Sequence, residues 1–404
     1  SKLPSNRYLC FLIGFFKLFI GFPTLINDIQ ETRGTFIFTE KDRGVMMFKN
    51  EMTKLLRIQY PIIQAPMAGG ITTSKLVAEV SKSGALGMIA AGYMTPNQIR
   101  DQIREIKQLT SNPFGINLFV PNEFQVNETE VGIANQYLKP IREQLNVQDK
   151  ESVEIPDFNQ MRATFHEQIK VVIEEQVPVC SFTFGIPFIE IIKDLKQHGV
   201  IVIGTATTVN EAIEIENSGM DLVVVQGSEA GGHRGNFLDG HQESLVGLMS
   251  LIPQVADHVR IPIVAAGGIM DGRGLTASLC LGAQGVQMGT AFLICMESGA
   301  NDIYKESILH THEDQVVLTR SFSGKWARGI KNKFISNMQK FEDSFPPFPI
   351  QNSLTQGIRK AASAQRNREY MSLWSGQSPR LAKKQSVEAL IQDVVAELIE
   401  HSHG

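Results

Sequence analysis

A chain of 404 residues with 43% hydrophobic and 20% charged residues has the composition of an ordinary globular protein able to bury a sizeable core. Lysine and arginine total 38 against 42 aspartates and glutamates, a formal charge of −4 with the acidic residues scattered. That balance excludes a basic nucleic-acid-binding face and points to a small-molecule partner. The length suits either two average domains or one β/α barrel of about 250 residues with additions. Four cysteines, Cys10, Cys180, Cys280 and Cys295, show no CxxC or metal-ligand spacing. Three of them lie within apolar stretches, and the set reads as reduced core thiols in a cytoplasmic protein without a metal site. His310 and His312 form an isolated pair in a polar segment and read as surface residues.

In chain order, the first notable segment is the apolar run 8–26, which resembles a signal or membrane anchor. Lys17 interrupts it, Pro23 limits a continuous helix, and no small-residue cleavage site follows. Arg43-Gly44-Val45 directly precede Met46 and Met47, and a purine-rich ribosome-binding stretch can encode them. Residues 1–45 are therefore expected to be translated upstream DNA, with the native start at Met46, Met47 or Met52. On that reading residues 1–52 form a non-native or disordered extension and the protein has no membrane partner.

From Ile58 onward, short apolar runs alternate with amphipathic stretches, the pattern of parallel βα units. Pro61–Ala65 is the first expected strand, followed by a helix near Ser74–Lys82. Leu86–Ala90 comes next, with a helix opened by Thr95 as N-cap and Pro96 at its first position. The third strand is Phe114–Phe119, and a polar insertion of about 45 residues follows, too long for an ordinary loop. Val179–Phe184, Val200–Ile203, Leu222–Gln226, Ile263–Ala266 and Gly285–Met288 complete eight strands. Eight units in series predict a TIM barrel over 53–296, with its site at the C-terminal strand ends. The competing doubly wound sheet lacks its GxGxxG turn. Residues 297–350, bounded by Phe345-Pro-Pro-Phe-Pro349, read as a small appended subdomain. Residues 351–404 read as a helical segment packing back on the barrel and closing with a helix at Val387–Ile399.

The sixth strand runs straight into Gln226-Gly-Ser-Glu-Ala-Gly-Gly-His233-Arg-Gly235. Glycines there let backbone approach a flat or charged ligand, and His233 is the side chain whose ordinary pKa suits proton transfer near neutrality. The bland reading of His233 is a loop histidine bonded to backbone. After the seventh and eighth strands come Ala265-Ala-Gly-Gly-Ile269 and Met288-Gly-Thr290. Loops in these two positions commonly hold phosphate in barrels, and Gly267, Gly268, Gly289 and Thr290 would supply the donors. Glycines that merely make tight turns are the alternative. Asn117, Gln226, Gln64 and Met67 lie near strand ends on the same rim, where amides can bond a planar heterocycle. A phosphorylated flat cofactor such as FMN fits this set better than a sugar phosphate.

Taken together, Gln64-Ala-Pro-Met-Ala-Gly69, Gly115-Ile-Asn-Leu-Phe119, Gln226–Gly235, Ala265–Ile269, Gln287–Thr290 and Trp374-Ser-Gly-Gln-Ser-Pro-Arg380 resemble the nitronate monooxygenase family, particularly its bacterial class I members. The resemblance runs from about Tyr60 to Gln377 and implies FMN in a TIM barrel. It implies flavin contacts at Asn117, Gln226, Gly231, Gly268, Gln287, Met288, Gly289 and Thr290, with Met67 beside them. It also implies that His233 faces the reactive part of the flavin. The family oxidises alkyl nitronates, propionate 3-nitronate among them, with O2 to a carbonyl compound and nitrite or other nitrogen oxides. His233 would act as base toward a neutral nitroalkane, or hold the anionic nitro group with Arg234. Lys325, Trp326 and Arg328 are further candidates for the pocket wall. A flavin-dependent enoyl-ACP reductase, an NAD(P)H:quinone reductase and a non-catalytic flavin-binding protein are the rivals, and a homo-oligomer is compatible with all of them.

Overall fold

The computed structural model describes residues 48–147, 155–238 and 244–401. The expectation for residues 1–45 lies outside them. Helix α1 (Glu51–Leu56) is started by Asn50, whose side chain accepts from the Thr53 N–H at 2.9 Å while Thr53 Oγ1 accepts from the Asn50 N–H at 3.0 Å. That reciprocal cap aims Met52 and Leu56 into the apolar cluster formed by Leu86, Val179 and Leu222 at the N-terminal ends of the barrel strands. The helix thus plugs one end of the barrel and leaves the other for ligands.

Eight strands form the barrel: β1 (Ile62–Gln64), β2 (Gly87–Ala90), β3 (Phe114–Phe119), β4 (Val179–Thr183), β5 (Ile201–Ala206), β6 (Leu222–Gln226), β8 (Ile263–Ala266) and β9 (Gly285–Met288). All pair in parallel in the order β1-β9-β8-β6-β5-β4-β3-β2, and a bridge between Ile63 and Leu86 joins the ends. These strands are buried on both faces, which is why their sequences are continuous apolar runs rather than alternating ones. Helices α2 (Ser74–Lys82), α3 (Pro96–Leu109), α5 (Phe158–Glu174), α6 (Ile189–Gln197), α7 (Val209–Asn217), α8 (Leu248–Ala256) and α9 (Gly272–Cys280) cross between successive strands. At α3 the Thr95 cap and Pro96 stand where the sequence places them, with Gln98 completing the capping box. The architecture is a TIM barrel.

The stretch after β3 contains a helix of its own, α4 (Glu128–Gln144), before the crossover helix α5. Val131, Ala134, Leu138 and Ile141 recur at helical spacing within an otherwise polar segment, a narrow stripe that average polarity hides. That stripe joins a second apolar cluster with Tyr304, Ile308, Phe322, Phe334, Ile350, Leu354, Ile358 and Leu373. The cluster supports a small antiparallel sheet made of β10 (Val316–Thr319), β11 (Ala327–Ile330) and the two-residue β7 (Gly232–His233). After the short helices α10 (Thr290–Leu293), α11 (Asp302–Leu309) and α12 (Lys333–Met338), α13 (Ile350–Ala364) joins the cluster through Ile350, Leu354 and Ile358, and α14 (Val387–His401) packs on α9, where Glu397 accepts from the Gly272 N–H at 2.8 Å. No helix among the described residues is long and apolar enough to cross a membrane, and no group of side chains among them could hold a metal ion.

Phe334 is fully buried and stacks on Phe322 with ring centroids 4.3 Å apart. Phe334→Ala is expected to cost about 3–5 kcal/mol, read as a lower midpoint in urea with an unchanged slope. A loss below about 1 kcal/mol would show that this cluster does not hold the small sheet together.

Candidate active site

A cavity of about 770 Å³ opens at the C-terminal ends of the barrel strands. Of the ten residues the sequence singles out for catalysis or cofactor binding, Met67, Asn117, Gln226, Gly231, His233, Gly268, Gln287, Gly289 and Thr290 all line it. Met288 does not. Its side chain is buried in the barrel at 1% exposure, and its carbonyl accepts from the Ala65 N–H at 2.8 Å, tying the first loop to the last strand.

His233 is held by chain from two places. Within β7 it pairs with Ala327 of β11, Gly232 pairs with Arg328, and the Arg234 N–H donates to the Trp326 carbonyl at 2.8 Å. From the barrel side, Gln226 donates through Nε2 to the His233 carbonyl at 3.1 Å and accepts from the Gly235 N–H at 2.8 Å. The Gln226 amide therefore closes the loop that it begins. Arg234 is fully buried and does not line the cavity. Its guanidinium donates to the carbonyls of Gly227 at 2.6 Å, Ser244 at 2.7 Å and Gln226 at 3.1 Å. The expected role of Arg234 as a nitro-group ligand is overturned by these bonds, which make it a brace under the loop. Buried Glu211 fixes the loop's exit by accepting from the N–H groups of Phe237 and Leu238.

The imidazole of His233 contacts Ser323 Oγ through Nε2 at 2.8 Å. Ser323 spends its own proton on the Lys325 carbonyl at 3.0 Å, so the histidine must be the donor and carries its proton on Nε2. Nδ1 then holds the lone pair, and among the described residues nothing donates to it. Trp374, Phe348 and Phe184 surround the ring with centroids 5.4, 6.0 and 6.1 Å away. Although the ring is only half-buried and opens on the cavity, the surrounding protein pushes its pKa down to about 3. Burial is the main cause, and the positive charges of Lys325 and Arg359 add to it. Lys325 lies 5.1 Å above the Phe184 ring and donates to Asn236 at 3.2 Å, and burial lowers its pKa to about 8.

The opposite wall is made of backbone. Gly267 and Gly268 take positive φ values of 139° and 66°, a conformation that turns the loop after β8 and that side chains resist. The N–H groups of Gly268, Gly289 and Thr290 have no partner among the described residues. Thr290 Oγ1 accepts from the Gly376 N–H at 2.9 Å and keeps its proton to donate. Asn117 gives its amide hydrogens to Ser181 Oγ at 2.8 Å and Thr183 Oγ1 at 3.0 Å, which points its oxygen to other donors. Gly231 is glycine for a different reason: a Cβ there would stand 2.5 Å from the backbone of Ser375 and Gly376, which crosses directly over it. Gln64 is fully buried and braces β2 by accepting from the Met88 N–H at 3.0 Å.

Other wall residues carry no motif. Asn352, Gln356, Arg359, Lys360 and Ser363 of α13 face the cavity, as does Tyr93. Their helical spacing opposite Ile350, Leu354, Ile358 and Ala362 reads in sequence as a solvated polar stripe. None of the three further candidates lines the cavity, although Lys325 lies close enough to the histidine to act on its charge. Arg328 instead donates to the Ser228 carbonyl at 2.8 Å as a brace, and Trp326 contributes its carbonyl.

A histidine facing a set of unpartnered backbone donors at the C-terminal rim marks the barrel as an enzyme scaffold able to hold an anionic group and place a proton. The nitronate monooxygenase family matches this chain over residues 49–397. A probable nitronate monooxygenase from Staphylococcus haemolyticus is 53% identical over 355 residues, covering 87% of this chain and 98% of that protein. One from Staphylococcus aureus is 49% identical over 354 residues, with the same coverage. Among solved structures, a nitroalkane oxidase from Streptomyces ansochromogenes superposes with a TM-score of 0.81 at 35% identity, covering 88% of this chain and 99% of its own. FabK from Thermotoga maritima gives 0.70 at 31% identity, covering 88% and 97%. The chain belongs to the nitronate monooxygenase family. It is an oxidoreductase of nitronates that works with a flavin.

The depressed pKa of His233 has a consequence for stability. The unfolded chain takes up a proton near pH 6.5 that the folded imidazole refuses until about pH 3, so stability is full above 6.5 and falls as the pH drops through that window. His233→Asn is therefore expected to shrink the loss of melting temperature between pH 7 and pH 5. Equal losses in both proteins would contradict a histidine held neutral.

Proposed function

We propose that this protein oxidises alkyl nitronates, propionate 3-nitronate among them, with FMN and molecular oxygen, releasing a carbonyl compound and nitrite or related nitrogen oxides. The observation that carries this reading is the neutral His233, its Nδ1 lone pair unpartnered, across one cavity from the free N–H groups of Gly268, Gly289 and Thr290.

The residues present fit FMN. The cavity has the size of a pocket for a flat ligand of a few hundred cubic ångströms. Gly268, Gly289 and Thr290 would hold its phosphate, while Asn117, Gln226, Gln287 and Met67 would border its ring system. Bound there, FMN would supply the redox chemistry, accepting electrons from the nitronate and delivering them to oxygen.

The protein's part is proton placement and shielding. Toward a neutral nitroalkane, His233 Nδ1 accepts the α-proton as general base, with Ser323 keeping the other nitrogen protonated and the ring in place. A preformed nitronate needs no proton removal. Its negative charge opposes the Lys325 and Arg359 charges that add to burial in depressing His233, so its arrival acts to raise the histidine's pKa. Phe184, Phe348 and Trp374 keep water from that side of the ring. The buried free thiols Cys180 and Cys295 fit a cytoplasmic protein.

A flavin-dependent enoyl-ACP reductase, which the sequence leaves as a rival because it shares the barrel and an Ala-Gly-Gly-His loop, is the alternative to be excluded by assay. Aerobic and anaerobic assays of purified yellow protein against propionate 3-nitronate and NADPH separate the two. Rapid flavin bleaching by NADPH without nitronate turnover would reverse the choice.

Two substitutions test the division of labour. His233→Asn is expected to retain flavin while lowering turnover of neutral nitroalkanes by about 100-fold or more, and of preformed nitronates much less. Unchanged kinetics with both forms would remove His233 from the reaction. At Gly289 a Cβ has room, its nearest neighbour being the Ala65 Cβ at 3.6 Å. Gly289→Val should therefore fold yet lose FMN, and stoichiometric flavin in that variant would refute the phosphate assignment.

A further inference from the structure

Residues 372–377 cross the cavity as a strap with alternate side chains on its two faces. Ser372, Trp374 and Gly376 line the cavity, while Leu373 and Ser375 between them are buried at 1% and 0% exposure. On one side the strap leans on the small sheet that holds His233. Trp374 bridges antiparallel to Gly329 of β11, the Ile330 N–H donates to the Leu373 carbonyl at 2.8 Å, and the Ser375 N–H donates to the Arg328 carbonyl at 3.3 Å. On the other side it reaches the barrel loops. The Gln377 N–H donates to the Glu229 carbonyl at 3.0 Å, and the Gly376 N–H to Thr290 Oγ1 at 2.9 Å.

The Thr290 end is the one that can respond to a ligand. Its hydroxyl accepts from the strap, so its single proton remains for a ligand in the cavity that Thr290 lines. A hydroxyl that donates to a phosphate is polarised and becomes a stronger acceptor for the N–H behind it. The backbone N–H groups of Gly268 and Gly289 can only donate, so they pass nothing on. From Gly376 the chain runs through Ser375 to Trp374, whose ring centroid lies 5.4 Å from the imidazole of His233, nearer than Phe348 or Phe184. Tyr304 Oη donates to the Trp374 carbonyl at 2.9 Å and holds that residue from a third direction. Three consecutive residues therefore connect the Thr290 hydroxyl to the wall of the histidine.

We propose that residues 372–377 are a cofactor-responsive strap and that Thr290 is its positioning residue. The phosphate of FMN, bound at the Thr290 hydroxyl, tightens the Gly376 bond and fixes Trp374 against His233. Riboflavin carries the same ring system without the phosphate, so it occupies the cavity and leaves the strap loose. The histidine site is thus completed around the phosphorylated cofactor in preference to its unphosphorylated form. The assignment rests on the phosphate reading of Gly268, Gly289 and Thr290.

Hydrogen exchange of segment 372–377, read by mass spectrometry on the full chain, tests the coupling. Saturating FMN and saturating riboflavin are compared, so that differences in affinity do not enter. In wild type, FMN should slow exchange at Gly376 and Gln377 about 10-fold relative to riboflavin. Thr290→Val keeps the backbone donor and the branched shape but removes the hydroxyl, and its strap should exchange equally fast with either flavin. Thr290→Ser keeps the hydroxyl and should restore the slowing by FMN, a rescue that a purely structural role for the threonine does not predict. Equal protection by both flavins in wild type, or protection by FMN alone that survives in Thr290→Val, would overturn the proposal. Binding titrations separate it from the reading beneath it. Wild type that binds FMN no tighter than riboflavin removes the phosphate assignment and the strap together, whereas tighter binding of FMN without added protection removes the strap alone.

Discussion

Two residues of chain, Gly232 and His233, lie in antiparallel register against Ala327 and Arg328, and the chemistry of the cavity depends on that pairing. A histidine on a glycine-rich loop would sample many directions if the barrel strand alone held it. Pairing to β11 fixes the backbone at the ring, and Ser323, at the turn preceding β11, fixes the ring itself. The turn is set in its place by Glu342, whose buried carboxylate accepts from Thr319, Arg320 and Ser321. A chain of local bonds therefore runs from that carboxylate to one imidazole nitrogen.

Electrostatics follows from the same construction. Loop glycines and carbonyls bring no charge, so burial is what first keeps the histidine neutral, and nearby charged side chains add to it. Those are Lys325 and Arg359, both cationic, and together with burial they keep the ring neutral. Negative charge is what this cavity lacks, and an anionic ligand supplies it. Arg234, adjacent to the histidine in sequence, spends its hydrogen bonds on three carbonyls, while its charge helps to lower the pKa of Lys325.

The barrel was legible because parallel strands buried on both faces must be apolar throughout, and the eight runs stand apart from their helices. Loop glycines after β6, β8 and β9 were legible for a related reason, since they follow those runs without interruption. Asn117 stood out as an amide within an apolar strand. What escaped was everything set by distant pairing. Nothing in Ala327-Arg328 announces that it will lie against Gly232-His233, and the α13 face around Arg359 looks like any solvated helix surface. Arg234 misled for the opposite reason, because a charged neighbour of a reactive histidine resembles a ligand-binding group until its carbonyl partners are seen. Met288 faced the wrong way by one residue of strand alternation.

The crossing of Ser375-Gly376 over Gly231, with a Cβ's clearance of only 2.5 Å, joins two inheritances in one cavity. The backbone donors belong to barrel loops, while the serine, lysine, arginine and tryptophan around the histidine come from the segment between Val316 and Trp374. Mutational drift in that later segment can reshape what the histidine meets while the glycine loops stay as they are. The contact at Gly231 is the seam that such drift has to respect. A scaffold divided in this way separates the side chains around the histidine from the loops proposed to hold the cofactor.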